Sequence, residues 1–440
     1  MEILLLGVAL GAIAGLIPGV GVFTTLLLFY PIVYDFSIPD IFIFYIALVS
    51  TTQYIGSISA TILAVPGESS SLPAVYEGHA LFRKGLGGLA ISGAALGSLF
   101  GALIVLVLVS AISPYFSNIS YFFNSFVQAI VISAVIILLL YTSNSSLIIL
   151  LFLGAFAWWL ASIGCGLVDC YVPVDYVDLY TGLPTLSVVC AMYVFPQLLK
   201  TSDKANTKDF HQKPFSILYH LLYYCQNIGS SIKGTVIGFF LGFTPGASMT
   251  LSSNTAYRLE VLNQKRKGTY KQGNYNALVS AETANNAATL SNLLPLFLLG
   301  IPLGGSEVIF YDLISSKGFV FYRDFTYEFF VDTIVYNLLI INLLAFLLAW
   351  PFAKYIKIFS LIPYNILRAF VFFLLCYTLY TIGGQFYQSE YFLFVFLILL
   401  PVGYLFRNQD MLPFIFIFIL QEHLYHLGLT LYGHLNAFLY

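Results

Sequence analysis

Apolar residues along this chain do not alternate with polar ones. They come in long runs, broken by short polar clusters. The runs cover about 3–33, 41–65, 86–112, 126–141, 147–163 and 183–198. After a polar gap they resume over 232–251, 281–299, 329–350, 367–382, 391–405 and 411–427. A hydrocarbon core about 30 Å thick is crossed by roughly 20 apolar residues in a helix. Inside lipid every backbone polar group must be paired within the protein, so unalternated apolar runs predict helices and not a barrel. The pattern predicts an all-α polytopic membrane protein with about ten to twelve membrane segments. The first run opens at Ile3 without a basic stretch or a small-residue cleavage pattern, and reads as structure and not as a signal peptide.

An internal repeat organises these runs. Gly7, Gly11, Gly15, Pro18 and Gly19 recur at one fixed offset as Gly234, Gly238, Gly242, Pro245 and Gly246. A second pair follows each, Pro66-Gly67 with Glu68-Ser69 and Pro302-Leu303-Gly304 with Ser306. The spacing between first and second break differs by about nine residues, which the polar run 258–273, read as a loop, can absorb. Gly7, Gly11, Gly234 and Gly238 fit close helix packing. The Pro-Gly pairs ask for more. Proline removes a backbone donor and clashes with the preceding turn, and glycine permits a reversed chain. One helix over 3–33 would be roughly 46 Å long at the standard rise. A break or re-entrant hairpin at Pro18-Gly19 is therefore expected, with a simple kink as the alternative.

Charge divides and orients the chain. The short run 200–214 carries Lys200, Lys204, Lys208 and Lys213, and reads as a basic cytoplasmic linker under the positive-inside rule. It separates a first membrane repeat, 1–199, from a second, 215–440, whose C-terminal helices are less recognisable. The loop after the first break is acidic in the first repeat (Asp35, Asp40). Its counterpart carries Arg258, Lys265, Arg266, Lys267 and Lys271. Opposite charge on equivalent loops predicts two inverted-topology repeats with discontinuous helices or re-entrant hairpins.

Composition agrees. Of 440 residues, 59% are hydrophobic and 9% charged, against about a quarter charged in soluble domains. Mean hydropathy is +0.89. A net charge of −2 gives no electrostatic footprint for nucleic acid. The five cysteines show no metal or redox spacing and read as small buried hydrophobes. His423, His426 and His434 lack the partners of a metal site. The chain carries no Walker A, G-x-S-x-G or HExxH motif, so it reads as neither ATPase nor hydrolase.

Candidate chemistry gathers at the breaks. In secondary carriers, half-helix N-termini offer N–H groups to anions, while unwound carbonyls suit cations. The substrate- or ion-binding candidates in the first repeat are Gly19, Gly21, Ser57, Pro66, Gly67, Glu68 and Ser69. In the second they are Pro245, Gly246, Ser248, Asn285, Asn286, Pro302, Gly304 and Ser306. The serines could equally cap helices. Asn285 and Asn286 open an apolar segment, where side-chain amides are costly unless they meet a ligand or another helix. Glu68 and Glu282 could each be a protonation site, an ion ligand or a helix-start cap.

These residues resemble the large membrane subunit of tripartite tricarboxylate transporters, the TctA type. The likeness lies in Gly15-Leu-Ile-Pro18-Gly19-Val-Gly21 and in Gly56-Ser57 through Pro66-Gly67-Glu68-Ser69 to Glu77-Gly78-His79. It continues in Gly242-Phe-Thr-Pro245-Gly246-Ala-Ser248 and in Glu282-Thr-Ala-Asn285-Asn286-Ala-Ala with Gly300-Ile301-Pro302. It covers about 1–320. The chain departs from the family in having Ala64-Val65 before Pro66 and an added residue at Leu303. The resemblance implies secondary transport of organic carboxylates coupled to Na⁺ or H⁺, with no resident cofactor or metal. It also implies a small membrane subunit and an extracytoplasmic solute-binding protein as partners, and a multi-pass place in a prokaryotic cytoplasmic membrane. A carrier acting alone on another small solute is the alternative reading, and a channel or non-transporting scaffold is the alternative of another class. A homo-oligomer stays open.

Overall fold

The computed structural model describes residues 1–16, 21–63, 68–115, 145–165, 170–171, 177–194, 216–245, 248–359 and 388–409, with scattered positions across 133–140, 369–380 and 411–429. Pro18, Gly19, Pro66, Gly67, Gly246, His434 and the 200–214 linker lie outside the described residues. The main helices are α1 (Glu2–Leu16), α2 (Val22–Leu28), α3 (Ile38–Leu63), α4 (Gly87–Ile112), α5 (Leu147–Ala161) and α6 (Ile217–Gln226). They continue as α7 (Ile228–Gly242), α8 (Ser248–Arg266), α9 (Tyr275–Leu299), α10 (Gly305–Ser315), α11 (Tyr336–Phe359) and α12 (Ser389–Leu405). Among the described residues, the exception to helix and turn is a two-residue antiparallel pairing of Gly164–Cys165 with Cys170–Tyr171. Among the described residues, three stretches are long and apolar enough to cross a membrane: Ile38–Ile62, Gly87–Tyr115 and Tyr327–Ala349.

Two glycine ladders hold the centre. Gly7, Gly11 and Gly15 of α1 each lie against a carbonyl of α3, at Phe44, Leu48 and Thr52. Gly234, Gly238 and Gly242 of α7 lie in the same way against Ser280, Ala284 and Ala288 of α9. A Cβ on any of the six would fall between 2.3 and 2.9 Å from that oxygen, so only glycine lets the backbones meet. The register rises in step along both helices, so α1 runs parallel to α3 and α7 parallel to α9. The chain must therefore turn back between them. It does so after Leu16, returning through α2, and after Gly242, returning through α8. The offset is 37 residues from Gly11 to Leu48 and 46 from Gly238 to Ala284, a difference of nine.

The two ladders cross. Phe42 of α3 meets Phe297 of α9 with ring centroids 5.5 Å apart. Further along α3, Gln53 meets Asn285 at 2.8 Å. Residue numbers rise on one helix as they fall on the other, so α3 and α9 are antiparallel. Phe42 anchors one end of the crossing in an aromatic cluster with Phe310, Phe319 and Phe329. α4 packs along α9 through Gly97 and Gly101, which lie against Val279 and Thr283.

Three local expectations change. The polar run 258–273 is helical to Arg266 and loops only beyond it. Asn285 and Asn286 do not open a segment. α9 starts at Tyr275, capped by the Asn274 side chain, which accepts from the Ala277 N–H at 3.0 Å. Glu282 therefore sits well inside α9 and caps nothing. The polar first half of α9 is buried by α7, α4 and α8, so protein and not lipid is its solvent.

Candidate functional site

The α3–α9 crossing places buried amides between the first and second parts of the chain. Gln53 is 2% exposed and Asn285 is fully buried. Gln53 Oε1 accepts from Asn285 Nδ2 at 2.8 Å and from Ser70 Oγ at 3.3 Å. Gln53 Nε2 donates to Glu68 Oε2 at 3.0 Å and faces the Met249 sulfur at 3.5 Å. Ser253 of α8 donates to the Ser70 carbonyl at 2.7 Å. Thr289, one turn beyond Asn285, donates to the Asn285 carbonyl at 2.9 Å and touches Met249 at 3.3 Å. The Asn285 Oδ1 is buried and meets no donor among the described residues. An unmet amide oxygen beside two hydroxyls and a thioether is a polar surface with capacity to spare.

A second cluster lies two turns along α9. Asn292 Oδ1 accepts from Ser248 Oγ at 3.0 Å, and its Nδ2 donates to Glu307. Glu307 Oε2 accepts from the backbone N–H groups of Leu303 and Gly304, at 2.7 and 3.2 Å. The first cluster repeats this plan. Glu68 Oε1 accepts from Val22 N–H at 3.2 Å, at the start of α2, while Gln53 donates to its other oxygen. In both, a carboxamide reaches a carboxylate fifteen residues on, and that carboxylate takes a free N–H at a helix start. Charge-assisted bonds at a helix N-terminus are strong. At these helix starts the protein's own carboxylates therefore accept from the N–H groups of Val22 in α2, and of Leu303 and the N-cap Gly304 before α10.

The remaining candidates divide between these clusters and elsewhere. Gly21 precedes α2, and a Cβ there would lie 2.7 Å from Glu68 Oε1, so a side chain at this position would displace the Glu68 carboxylate. Pro245 and Pro302 are buried. Ser306 accepts from Tyr45 OH at 3.1 Å, tying α10 to α3. Asn286 turns to α4, donating to Ser98 Oγ at 2.8 Å, and does not join the crossing. Ser57 donates to the Tyr54 carbonyl at 3.0 Å. The backbone of Ser69 forms a short 3-10 turn.

Sequence reasoning missed Gln53, Asn292, Glu307 and Met249. A signal existed for the first three. Gln53 ends the polar run Ser50-Thr-Thr-Gln53 inside an apolar span, and Asn292 lies two turns from Asn285 on one helix face. Glu307 stands three residues after Gly304, where a first-turn carboxylate reaches back to the helix start.

One further contact joins the parts. Glu77, fully buried, accepts from Tyr257 OH at 3.2 Å and Tyr270 OH at 2.9 Å. It also accepts from the N–H groups of Gly273 and Asn274, both at 2.7 Å, just before α9. Lys84 Nζ donates to the nearby Gln272 carbonyl. Burial and the Glu77 carboxylate raise the Tyr270 phenol above its usual range.

Comparison with known proteins bears on the family of the chain. Residues 1–417 match the sequence model of a family described as "Tripartite tricarboxylate transporter TctA family". A relative from Agrobacterium vitis, described as "Uncharacterized 52.8 kDa protein in TAR-I ttuC' 3'region", is 26% identical over 302 residues. That alignment covers 67% of this chain and 60% of the relative, so the chain spans about three fifths of that protein's length. No solved structure matches.

Proposed function

The chain belongs to the tripartite tricarboxylate transporter TctA family, a family of membrane transport subunits, and on that premise we propose that it is a permease moving organic carboxylates by secondary transport. The substrate class is tri- and dicarboxylates, with Na⁺ or H⁺ as coupling ion. The site is the α3–α9 crossing. The observation that carries the reading is the buried Gln53–Asn285 contact, with the unmet Asn285 oxygen, between the two parts of the chain. Few cations are at hand, so hydroxyls, amide N–H groups and the start of α8 at Ser248 would receive the substrate's carboxylates.

The architecture proposed is two inverted repeats, 1–199 and 215–440, joined by the basic linker 200–214, with ten to twelve segments in a prokaryotic cytoplasmic membrane. Supporting it are the matching glycine ladders, the two carboxamide–carboxylate pairs and the antiparallel α3 and α9. Alternating access would then move one repeat past the other around the crossing. A small membrane subunit and an extracytoplasmic binding protein are the proposed partners.

Counterflow in proteoliposomes tests this function. Exchange of labelled citrate or succinate, lost in Asn285→Ala while membrane insertion stays normal, is the expected result. Ionic conductance without counterflow would reject a carrier.

A further inference from the structure

Glu282 stands on α9 one turn before Asn285. It is fully buried, and neither carboxylate oxygen meets a donor among the described residues. Ser57 of α3 lies beside it, but that hydroxyl is committed to the Tyr54 carbonyl at 3.0 Å. Glu68, Glu77, Glu260 and Glu307 differ, since each accepts at least two donors.

Among the described residues, the elements around α9 bring Glu282 no counter-charge. α4 carries no titratable side chain. Lys233 of α7 pairs with Glu260 of α8 at 3.0 Å. Tyr257 of α8 donates to Glu77, and Tyr54 of α3 donates to Asn342. Toward the far end of α9, Glu307 is held by Asn292 and Arg323 pairs with Asp324. An ionised carboxylate buried without donor or counter-ion is strongly disfavoured, and it takes up a cation instead.

We propose that Glu282 carries the coupling proton: it holds a proton while α3 and α9 are packed, and exchanges it with water when the crossing opens. A proton fits better than Na⁺. Carriers build Na⁺ sites from carbonyls freed by unwound helix, and α9 is unbroken around Glu282, its carbonyls spent in the helical ladder. The proton binds from one side of the membrane and leaves to the other, in step with substrate. The inference rests on the transport reading above and names its coupling ion.

The test uses the full chain in lipid, with two readouts. The infrared difference spectrum between acid and alkaline buffer should show the carbonyl stretch of a buried neutral carboxylic acid in wild type. Glu282→Gln should remove it. In proteoliposomes with citrate or succinate, Glu282→Gln should lose accumulation driven by a proton gradient, and its residual counterflow should no longer vary with pH. Glu282→Asp should restore part of both. The inference is overturned if the infrared band survives Glu282→Gln, or if a Na⁺ gradient alone drives wild-type accumulation at every pH. Absence of wild-type exchange would remove the transport reading, and the infrared band would still decide whether Glu282 holds a proton.

Discussion

Adding one methyl group to α7 at two positions separates packing from helix propensity. At Gly238 a Cβ would lie 2.3 Å from the Ala284 carbonyl oxygen and 2.8 Å from the Ala287 Cβ. At Gly229, on the same helix, it would meet nothing within 4 Å. A carbon and a carbonyl oxygen in weak contact settle at about 3.3–3.6 Å, so Gly238→Ala must part α7 and α9 by about 1 Å. Overpacking of that kind costs about 1–3 kcal/mol. Gly238→Ala also gains about 0.5–1 kcal/mol by removing a glycine from the helix interior, and Gly229→Ala, in the first turn of α7, gains less. Gly229→Ala should therefore match or slightly exceed wild-type stability, and Gly238→Ala should fall below it. Their difference sets a lower bound on the packing cost, which is roughly 1–3 kcal/mol. The assay is the melting temperature of detergent-solubilised protein, followed by size-exclusion chromatography after heating. A melting point for Gly238→Ala at or above that of Gly229→Ala would refute the backbone-to-backbone ladder.

The remaining predictions concern the Glu77 clasp. Glu77→Ala leaves two backbone N–H groups and two phenols without their acceptor, at about 1–3 kcal/mol for each buried donor orphaned; it should lower the melting point more than Gly238→Ala does. Tyr270 has its folded pKa raised, by burial first and then by Glu77. Its contribution is thus fully present below the usual phenol range near 10 and lost as pH rises through the folded value. Wild type should lose stability more steeply than Tyr270→Phe as pH rises above about 10, and parallel curves for the two would contradict the contact.

Much of the plan was legible in the sequence, because glycine and proline act through the backbone. The repeat of Gly7-Gly11-Gly15 in Gly234-Gly238-Gly242 fixed where helices would touch. The nine-residue spacing difference reappears as the register difference between the ladders. The boundaries of α8 and α9 were not legible. Hydropathy reports transfer to lipid, and the polar stretch from Tyr275 to Asn292 is buried in protein instead. The Gln53–Asn285 contact was hidden for another reason. It spans 232 residues, and only the folded crossing brings the two side chains together. Asn285 and Glu282 could be named as costly in lipid. That Asn285 keeps one oxygen unmet, and Glu282 both, depends on what surrounds them.

The central claim is that substrate binds at the α3–α9 crossing. Its most direct test is protection of a single cysteine, Thr289→Cys, in an otherwise cysteine-free chain, against a water-soluble thiol reagent. Thr289 bonds the Asn285 backbone and lines a small cavity with Asn286 and Asn342. Citrate, succinate or malate should slow labelling there in a saturable way and leave Gly229→Cys unaffected. Equal labelling rates with and without every carboxylate tested, in protein that still performs counterflow, would place the binding site elsewhere.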